Sequence, residues 1–427
     1  MNARYLILSL VVGVLAGLFG SAFHVSADWA LAVHTRVDGP FWLRMAISMS
    51  ASAAMLVVAL MLTRRFAPEA GGSGVPEVEG AVDDRLPLRW LRILPVKFVG
   101  GVLSIGSGAV LGREGPTIHI GAALAEGVAE HTKMAAHERR GMLAAGAAAG
   151  LAAAFNAPLA SVLFVMEETR REFPYHFHTF SGVVIASVCS AVVTELLLGG
   201  GPYLPIEAVA QSKSFLVMAT VLGALLGVLG YVFNTALLAT VSWLQPGGRP
   251  VSLLVAAAIG AVLGGLLVFN PSAVEGGEGL IAQLVVNADA LTFLMGLVLL
   301  RFVMTMMSYG LGAPGGLFAP LLALAVCAGL CVASVVNALP FGFDVSPQTT
   351  AVVAMAGLFA STVRAPLVGV VLTAELTGAY DLFLPLLICA GMAHIVAQAL
   401  GGRPIYTQLL ERRLALAVER RSPDVAG

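Results

Sequence analysis

Gly112-Arg113-Glu114-Gly115-Pro116 places a charged pair between two glycines and closes it with a proline, inside an otherwise apolar stretch. Proline is tolerated in the first turn of a helix but not in its interior, and glycine supplies the turn before it. The pentad therefore marks the start of a broken helix. Gly72-Ser73-Gly74-Val75-Pro76 and Gly316-Leu317-Phe318-Ala319-Pro320 repeat the pattern, each leading into a new apolar run. The first amides of a helix lack backbone partners and sit at the positive end of its dipole. Several such starts converging at mid-membrane would make a site for a small anion.

Composition sets the class. Of 427 residues, 58% are hydrophobic and 11% charged, against about 25% charged in a soluble domain. An all-α polytopic membrane protein follows, and the 48 glycines suit helices that pack backbone to backbone. A net charge of -1 gives no general attraction to nucleic acid. Cys189, Cys327, Cys331 and Cys389 lie in apolar stretches without metal-ligand spacing and read as small core residues, with neither disulfide nor metal expected. Met1 to Arg4 followed by an apolar run resembles a signal peptide, but further hydrophobic segments follow at once, so a retained first span is expected.

Apolar segments run through about 5–24, 42–62, 93–111, 141–166, 177–200, 214–243, 250–269, 291–308, 315–338, 347–374 and 381–400. Several are too short or too glycine-rich to cross a core that needs about 20 helical residues. These are half-spans, tolerated only where protein buries them or a polar cavity hydrates them, as in a transporter's binding site.

The chain repeats itself. A shift of 204 pairs Gly106, Gly108, Ala109, Gly112 and Pro116 with Gly310, Gly312, Ala313, Gly316 and Pro320, setting Glu114 opposite Phe318. A shift of 208 pairs Ala157-Pro158-Leu159 with Ala365-Pro366-Leu367 and Glu167 with Glu375, leaving Glu168 opposite Leu376. Two structural repeats, 1–210 and 211–427, form one transmembrane domain. Basic residues gather at Arg64-Arg65, from Arg85 to Lys97, at Arg139-Arg140 and Arg170-Arg171, and in a tail with five arginines from Arg403 to Arg421. The positive-inside tendency makes that C-terminus cytoplasmic.

Glu114 is the sharpest position. Its carboxylate sits where the bundle would hold an anion and can compete with it when ionised; when protonated, it can swing away. The rival reading is a carboxylate that caps its own helix and pairs with Arg113. Glu168, at the end of an apolar helix before Arg170 and Arg171, is either a solvated helix end or a rim carboxylate that passes protons inward. Ser73 offers a hydroxyl to an anion or caps a helix. Tyr406 aims a phenol into the bundle or belongs to an interfacial belt. His119 reads as a packed histidine, and Glu77, Glu79, Asp83 and Asp84 as a loop rim or helix-start acids. Arg301, in mid-segment, needs a carboxylate or carbonyl partner. No nucleophile motif, metal pattern or cofactor fingerprint supports an enzyme built on Glu114 and His119.

Taken together, Gly72-Ser73-Gly74-Val75-Pro76, Gly112-Arg113-Glu114-Gly115-Pro116, Gly315-Gly316-Leu317-Phe318-Ala319-Pro320 and the late Tyr406 resemble, in order and spacing, the CLC family of chloride channels and proton-coupled chloride transporters, in particular its short bacterial chloride/proton exchangers. The resemblance covers nearly the whole chain. It implies an inverted repeat and a homodimer in the bacterial inner membrane with one pathway per subunit. It further implies a central chloride held by the hydroxyls of Ser73 and Tyr406 and the amides of Leu317 and Phe318. Glu114 would be the external gating glutamate and Glu168 the internal proton-transfer glutamate. Family channels usually lack a carboxylate at the latter place, which favours exchange over passive conduction. Serine in the first motif points to chloride rather than nitrate, and the absence of methionine there argues against fluoride export.

Three features depart from the family pattern. Glutamine is common where Glu172 stands, and an added acid near Glu168 would alter proton delivery. The family's N-terminal cytoplasmic helix is short or missing. The chain stops soon after Tyr406, so cystathionine-synthase-type regulatory domains and nucleotide regulation are not expected. Chloride and protons are the expected substrates, with no cofactor; a passive chloride channel is the alternative.

Overall fold

Within hydrocarbon every backbone amide must be satisfied inside its own segment, which favours helices throughout an apolar chain of this kind. The computed structural model describes residues 3–36, 38–168, 176–207, 215–286, 290–340 and 344–421. Seventeen α-helices and a few 3-10 turns are found among them. The first eight are α1 (Ala3–Ala32), α2 (Phe41–Phe66), α3 (Val75–Val82), α4 (Trp90–Gly106), α5 (Glu114–His131), α6 (Ala136–Phe155), α7 (Pro158–Glu168) and α8 (Phe177–Leu198). After them come α9 (Phe215–Leu244), α10 (Leu253–Phe269), α11 (Glu278–Val286), α12 (Leu291–Gly310), α13 (Phe318–Ala338), α14 (Pro347–Val363), α15 (Pro366–Thr377), α16 (Phe383–Ala399) and α17 (Ile405–Arg421).

Seven helical stretches among the described residues are long and apolar enough to span a bilayer: α1, α2, α8, α9, α12, α13 and Tyr380–Ala399, which contains α16. By contrast α3, α7, α11 and α15 have 8, 11, 9 and 12 residues. At 1.5 Å per residue they reach only about 12 to 18 Å, roughly half of a core about 30 Å thick. The chain is a multi-pass membrane protein with broken helices.

Two segments expected to be continuous are divided. The stretch 141–166 breaks between α6 and α7 at Asn156, and 347–374 breaks between α14 and α15 at Arg364. Both residues adopt left-handed backbone, with φ of 50° and 71°. In each case Ala-Pro follows, and a proline disfavours helical backbone in the residue before it. The segment 93–111 likewise ends its helix at Gly106, and 315–338 begins its helix only at Phe318. The residues thus released form the loops of the site.

Burial separates inner from outer helices. Residues 141–155 of α6 and 349–363 of α14 are buried without exception. The outer helices turn apolar side chains outward: Leu254, Leu196 and Phe177 are 82%, 79% and 77% exposed, as lipid contact requires. Small residues let the inner helices approach closely; Gly121 of α5 lies directly against the Gly146 backbone of α6. The four cysteines are free.

Two carboxylates tie α7 to α15. Glu167, near the end of α7, accepts from the amides of Leu367 (3.3 Å) and Val368 (2.9 Å) in the first turn of α15. Glu375, near the end of α15, accepts from Leu159 (3.1 Å) and Ala160 (2.7 Å) in the first turn of α7. Each helix therefore supplies the anionic cap that the other's start needs. Arg301, fully buried on α12, finds carbonyl partners: it donates to Val274, Glu275 and Gly276 at 3.0, 3.2 and 2.9 Å.

Candidate anion and proton site

The three broken helix starts meet because their loops hydrogen-bond to one another. Gly72 and Gly315 join the first loop to the third, through Gly72 N to Gly312 O (3.2 Å) and Gly315 N to Gly72 O (3.0 Å). Gly112 and Gly316 join the second to the third by a reciprocal pair of 2.9 and 2.7 Å. Glycine is required at 74, where φ is +96° and a Cβ would collide with the His119 ring. The N-termini of α3, α5 and α13 are thereby brought together, with their unpaired amides and dipoles.

The group at the start of α13 is the chain's own carboxylate. Glu114, 1% exposed, accepts a 2.6 Å hydrogen bond from Phe318 N to Oε1 and also faces the amides of Ala319 and of Glu114 itself. Its Oε2 is buried without a hydrogen-bond partner. Arg113 turns away to Asp28, at 2.5 Å. A local Arg113–Glu114 pair is therefore not what holds the carboxylate. Leu317, 1% exposed, stands at the N-cap of α13.

Ser73, in the loop before α3, and Tyr406, in the first turn of α17, enter the same place. Ser73 is 1% and Tyr406 0% exposed. The two side chains lie next to each other, with Glu114, Glu168 and Tyr309 in electrostatic range of the phenol. The two hydroxyls approach each other, and neither has a well-formed hydrogen bond to any other described residue. Ser73 is not a capping serine, since Gly74 occupies the N-cap of α3. A buried hydroxyl left without a partner is costly; two of them beside three helix starts are donors available to an anion. The Tyr406 ring lies 6.0 Å from that of Phe318, which also meets Phe359 at 4.8 Å and Phe164 at 5.5 Å.

Glu168 approaches this group from α7, in electrostatic range of the Tyr406 phenol. It ends α7 and, with Glu79 of α3, lines a narrow cavity walled by Val75, Ile118, Ala147 and Phe164. Phe164 and Glu168 are four residues apart on one helix and share a face. The ring of Phe164 therefore links the cavity to Phe318 and the Glu114 carboxylate. Glu172, together with Arg170 and Arg171, lies outside the described residues. On the far side of Ser73 a wide cleft opens, lined by Arg64, Gly72, Tyr309, Gln245, Arg412 and Glu77. Glu77 and Glu79 belong to the short α3, and Glu77, 7% exposed, pairs with Arg413 of α17; neither forms a loop rim.

Sequence reading missed Lys97. It is fully buried on α4 and donates to Ala70 O at 3.0 Å and Gly72 O at 2.7 Å, holding the loop that presents Ser73. The signal was an ammonium in the middle of an apolar helix, where charge is expensive. His119 is packed as expected, fully buried, although neither ring nitrogen has a hydrogen-bond partner among the described residues. Tyr309 and Phe164 were also missed, because only the fold carries them to the site.

Comparison with known proteins agrees with this geometry. Residues 54–398 match the voltage gated chloride channel family. The H(+)/Cl(-) exchange transporter ClcA of Vibrio parahaemolyticus is 40% identical over 425 residues, covering 96% of this chain and 90% of that protein. The ClcA of Salmonella arizonae is 39% identical over 419 residues, with 96% and 89% covered. Among solved structures, a slow cyanobacterial Cl-/H+ antiporter superposes with a TM-score of 0.90 at 33% identity, covering 97% of this chain and 99% of that one. The chain belongs to the CLC family of voltage gated chloride channels and transporters.

Proposed function

We propose that this protein exchanges chloride for protons across the membrane. Chloride is held by the hydroxyls of Ser73 and Tyr406 and the amides of Leu317 and Phe318, and the proton is carried by Glu114 and Glu168. The observation that carries the reading is the Glu114 carboxylate bonded to the Phe318 amide at the start of α13. That amide can serve the carboxylate or an anion, but not both. Ionised, Glu114 competes with chloride; once protonated it loses most of its attraction to the helix start and yields the place. Proton binding and chloride binding thereby favour each other. Glu168 supplies the other end of the proton route and lines the cavity beside Phe164. The names of the relatives, exchange transporters and an antiporter, agree with this reading.

The cycle needs no covalent step and no cofactor, and the protein is a transporter rather than an enzyme. The halves 1–210 and 211–427 are inverted repeats. In support, Gly108 and Gly312, 204 positions apart, both have φ of +76°, and Glu167 and Glu375 exchange their caps between α7 and α15. The protein works as a homodimer in the bacterial inner membrane with its C-terminus in the cytoplasm. The apolar, outward-facing Leu197 of α8 and Leu384 and Ile395 of α16 suit a partner subunit.

The test is proton movement in liposomes containing only this protein, with a chloride gradient imposed and potassium plus valinomycin setting the voltage. Uphill proton movement driven by chloride is expected. Brisk chloride flux without protons would make the protein a passive channel and overturn the exchange reading.

A further inference from the structure

Arg113 carries a full positive charge in the residue next to Glu114, yet it is not left to act on that carboxylate alone. It is shared. Asp28 of α1 meets it at 2.5 Å and Glu278, the first residue of α11, at 4.0 Å, while the ring of His24 lies 3.4 Å away. Side-chain exposure falls from 61% at Asp28 to 21% at Glu278 and 13% at Arg113; Glu114 itself is 1% exposed. Burial therefore deepens from Asp28 through Glu278 and Arg113 to Glu114.

Glu278 is fixed there by the fold. Arg301 clamps the carbonyls of Val274, Glu275 and Gly276, and Glu275 N binds Gly108 O at 3.1 Å. The loop then enters α11 through Gly277, whose φ of +107° and close approach to Arg301 admit no side chain. A second observation connects this cluster to the gate. Oε2 of Glu114, buried and without a hydrogen-bond partner, lies against the Gly112 backbone, one residue from Arg113, and the Glu114 carboxyl group feels the charge of Glu278.

We propose that Glu278 is a positioning residue for the proton step: its charge, held beside Arg113 by the Arg301-clamped loop, offsets the guanidinium and sets the pH range over which Glu114 accepts protons. The inference rests on the exchange reading and deepens it. Around Glu114 stand the amides of α13, the phenol of Tyr406 from α17, the phenol of Tyr203 and Glu278 from α11, with Arg113 preceding it at the N-cap of α5. Glu278 and Arg113 are charged, and Glu168 of α7 shares the Tyr406 phenol with Glu114. One step further out, Asp28 pairs with Arg113 and Glu275 lies in electrostatic range of Glu278 and Arg113. Without Glu278, Arg113 is less compensated and favours ionised Glu114, so a higher proton concentration is needed to release the gate.

The experiment is the pH dependence of chloride-driven proton transport in liposomes for wild type, Glu278→Gln and Glu278→Asp. It is repeated for chloride flux alone in a Glu114→Ala background. Glu278→Gln should move the midpoint to lower pH by about one unit, a tenfold change in proton activity, without changing the ratio of chloride to protons. Glu278→Asp keeps the charge and should restore the wild-type profile. In the Glu114→Ala background Glu278→Gln should shift nothing. An unmoved midpoint in Glu278→Gln, an equal shift in the Glu114→Ala background, or failure of Glu278→Asp to restore the profile would each overturn the inference while leaving exchange intact. Wild-type protein that moves chloride without protons would instead sink the exchange reading, and this inference with it.

Discussion

Oε1 of Glu114 accepts a 2.6 Å hydrogen bond from the amide of Phe318, 204 residues along the chain, the spacing that also separates the hydrogen-bonded Gly112 and Gly316. Two broken helices that begin alike are set face to face, and the one carrying a carboxylate places it on the start of the other. A helix start that would otherwise draw an anion from solution is occupied by a group that a single proton can neutralise.

Removing that group should separate the two ions. Glu114→Ala is expected to keep chloride flux but abolish its dependence on pH and its coupled proton movement. Parallel recordings of chloride and proton flux from the same liposomes check this; residual coupling would remove Glu114 from the proton route.

Glu168, which lines the cavity beside Phe164, is proposed to act on protons alone. Glu168→Gln should lower proton flux by about a hundredfold, the scale on which a positioned acid or base matters, while chloride still moves. A loss of both fluxes in equal measure would make Glu168 a structural residue.

Ser73→Ala and Tyr406→Phe each delete one hydroxyl and little else. A hydrogen bond to a charged group contributes about 1.5–3 kcal/mol, so each variant should bind chloride at least about tenfold more weakly by isothermal titration. Unaltered affinity in both would leave the ion on backbone amides only.

Lys97→Met keeps the length of the side chain and removes the donor to Ala70 O and Gly72 O. The buried Ala70 carbonyl loses this donor while Gly72 O keeps the Gly315 amide, at a cost of about 1–3 kcal/mol. The thermal transition in detergent should fall, and chloride affinity with it, because the loop holding Ser73 loosens. A variant with wild-type melting and wild-type affinity would contradict the assignment.

Much of the site was legible because its residues are the ones that break the apolar pattern. Glycine and proline betray Ser73, Glu114 and Phe318, and intramembrane charge betrays Arg301, whose carbonyl partners are three successive residues of one loop. The breaks at Asn156 and Arg364 were hidden by continuous apolar composition, although the prolines at 158 and 366 were in plain view. The roles of Lys97, Phe164 and Glu278 depend on which loops and helices the fold stacks beside them, and neither periodicity nor spacing encodes that. Glu167 and Glu375 were paired by the internal repeat, but only the packing of α7 on α15 shows that each caps the other's helix.

If chloride and the Glu114 carboxylate compete for one helix start, a chloride that binds must send a proton onto the displaced carboxylate. Titrating chloride into the purified protein in buffers of different ionisation enthalpy counts that proton directly. The account predicts net proton uptake on chloride binding to the wild type and none in Glu114→Gln. Binding without proton uptake in the wild type, or equal uptake in both proteins, would contradict it.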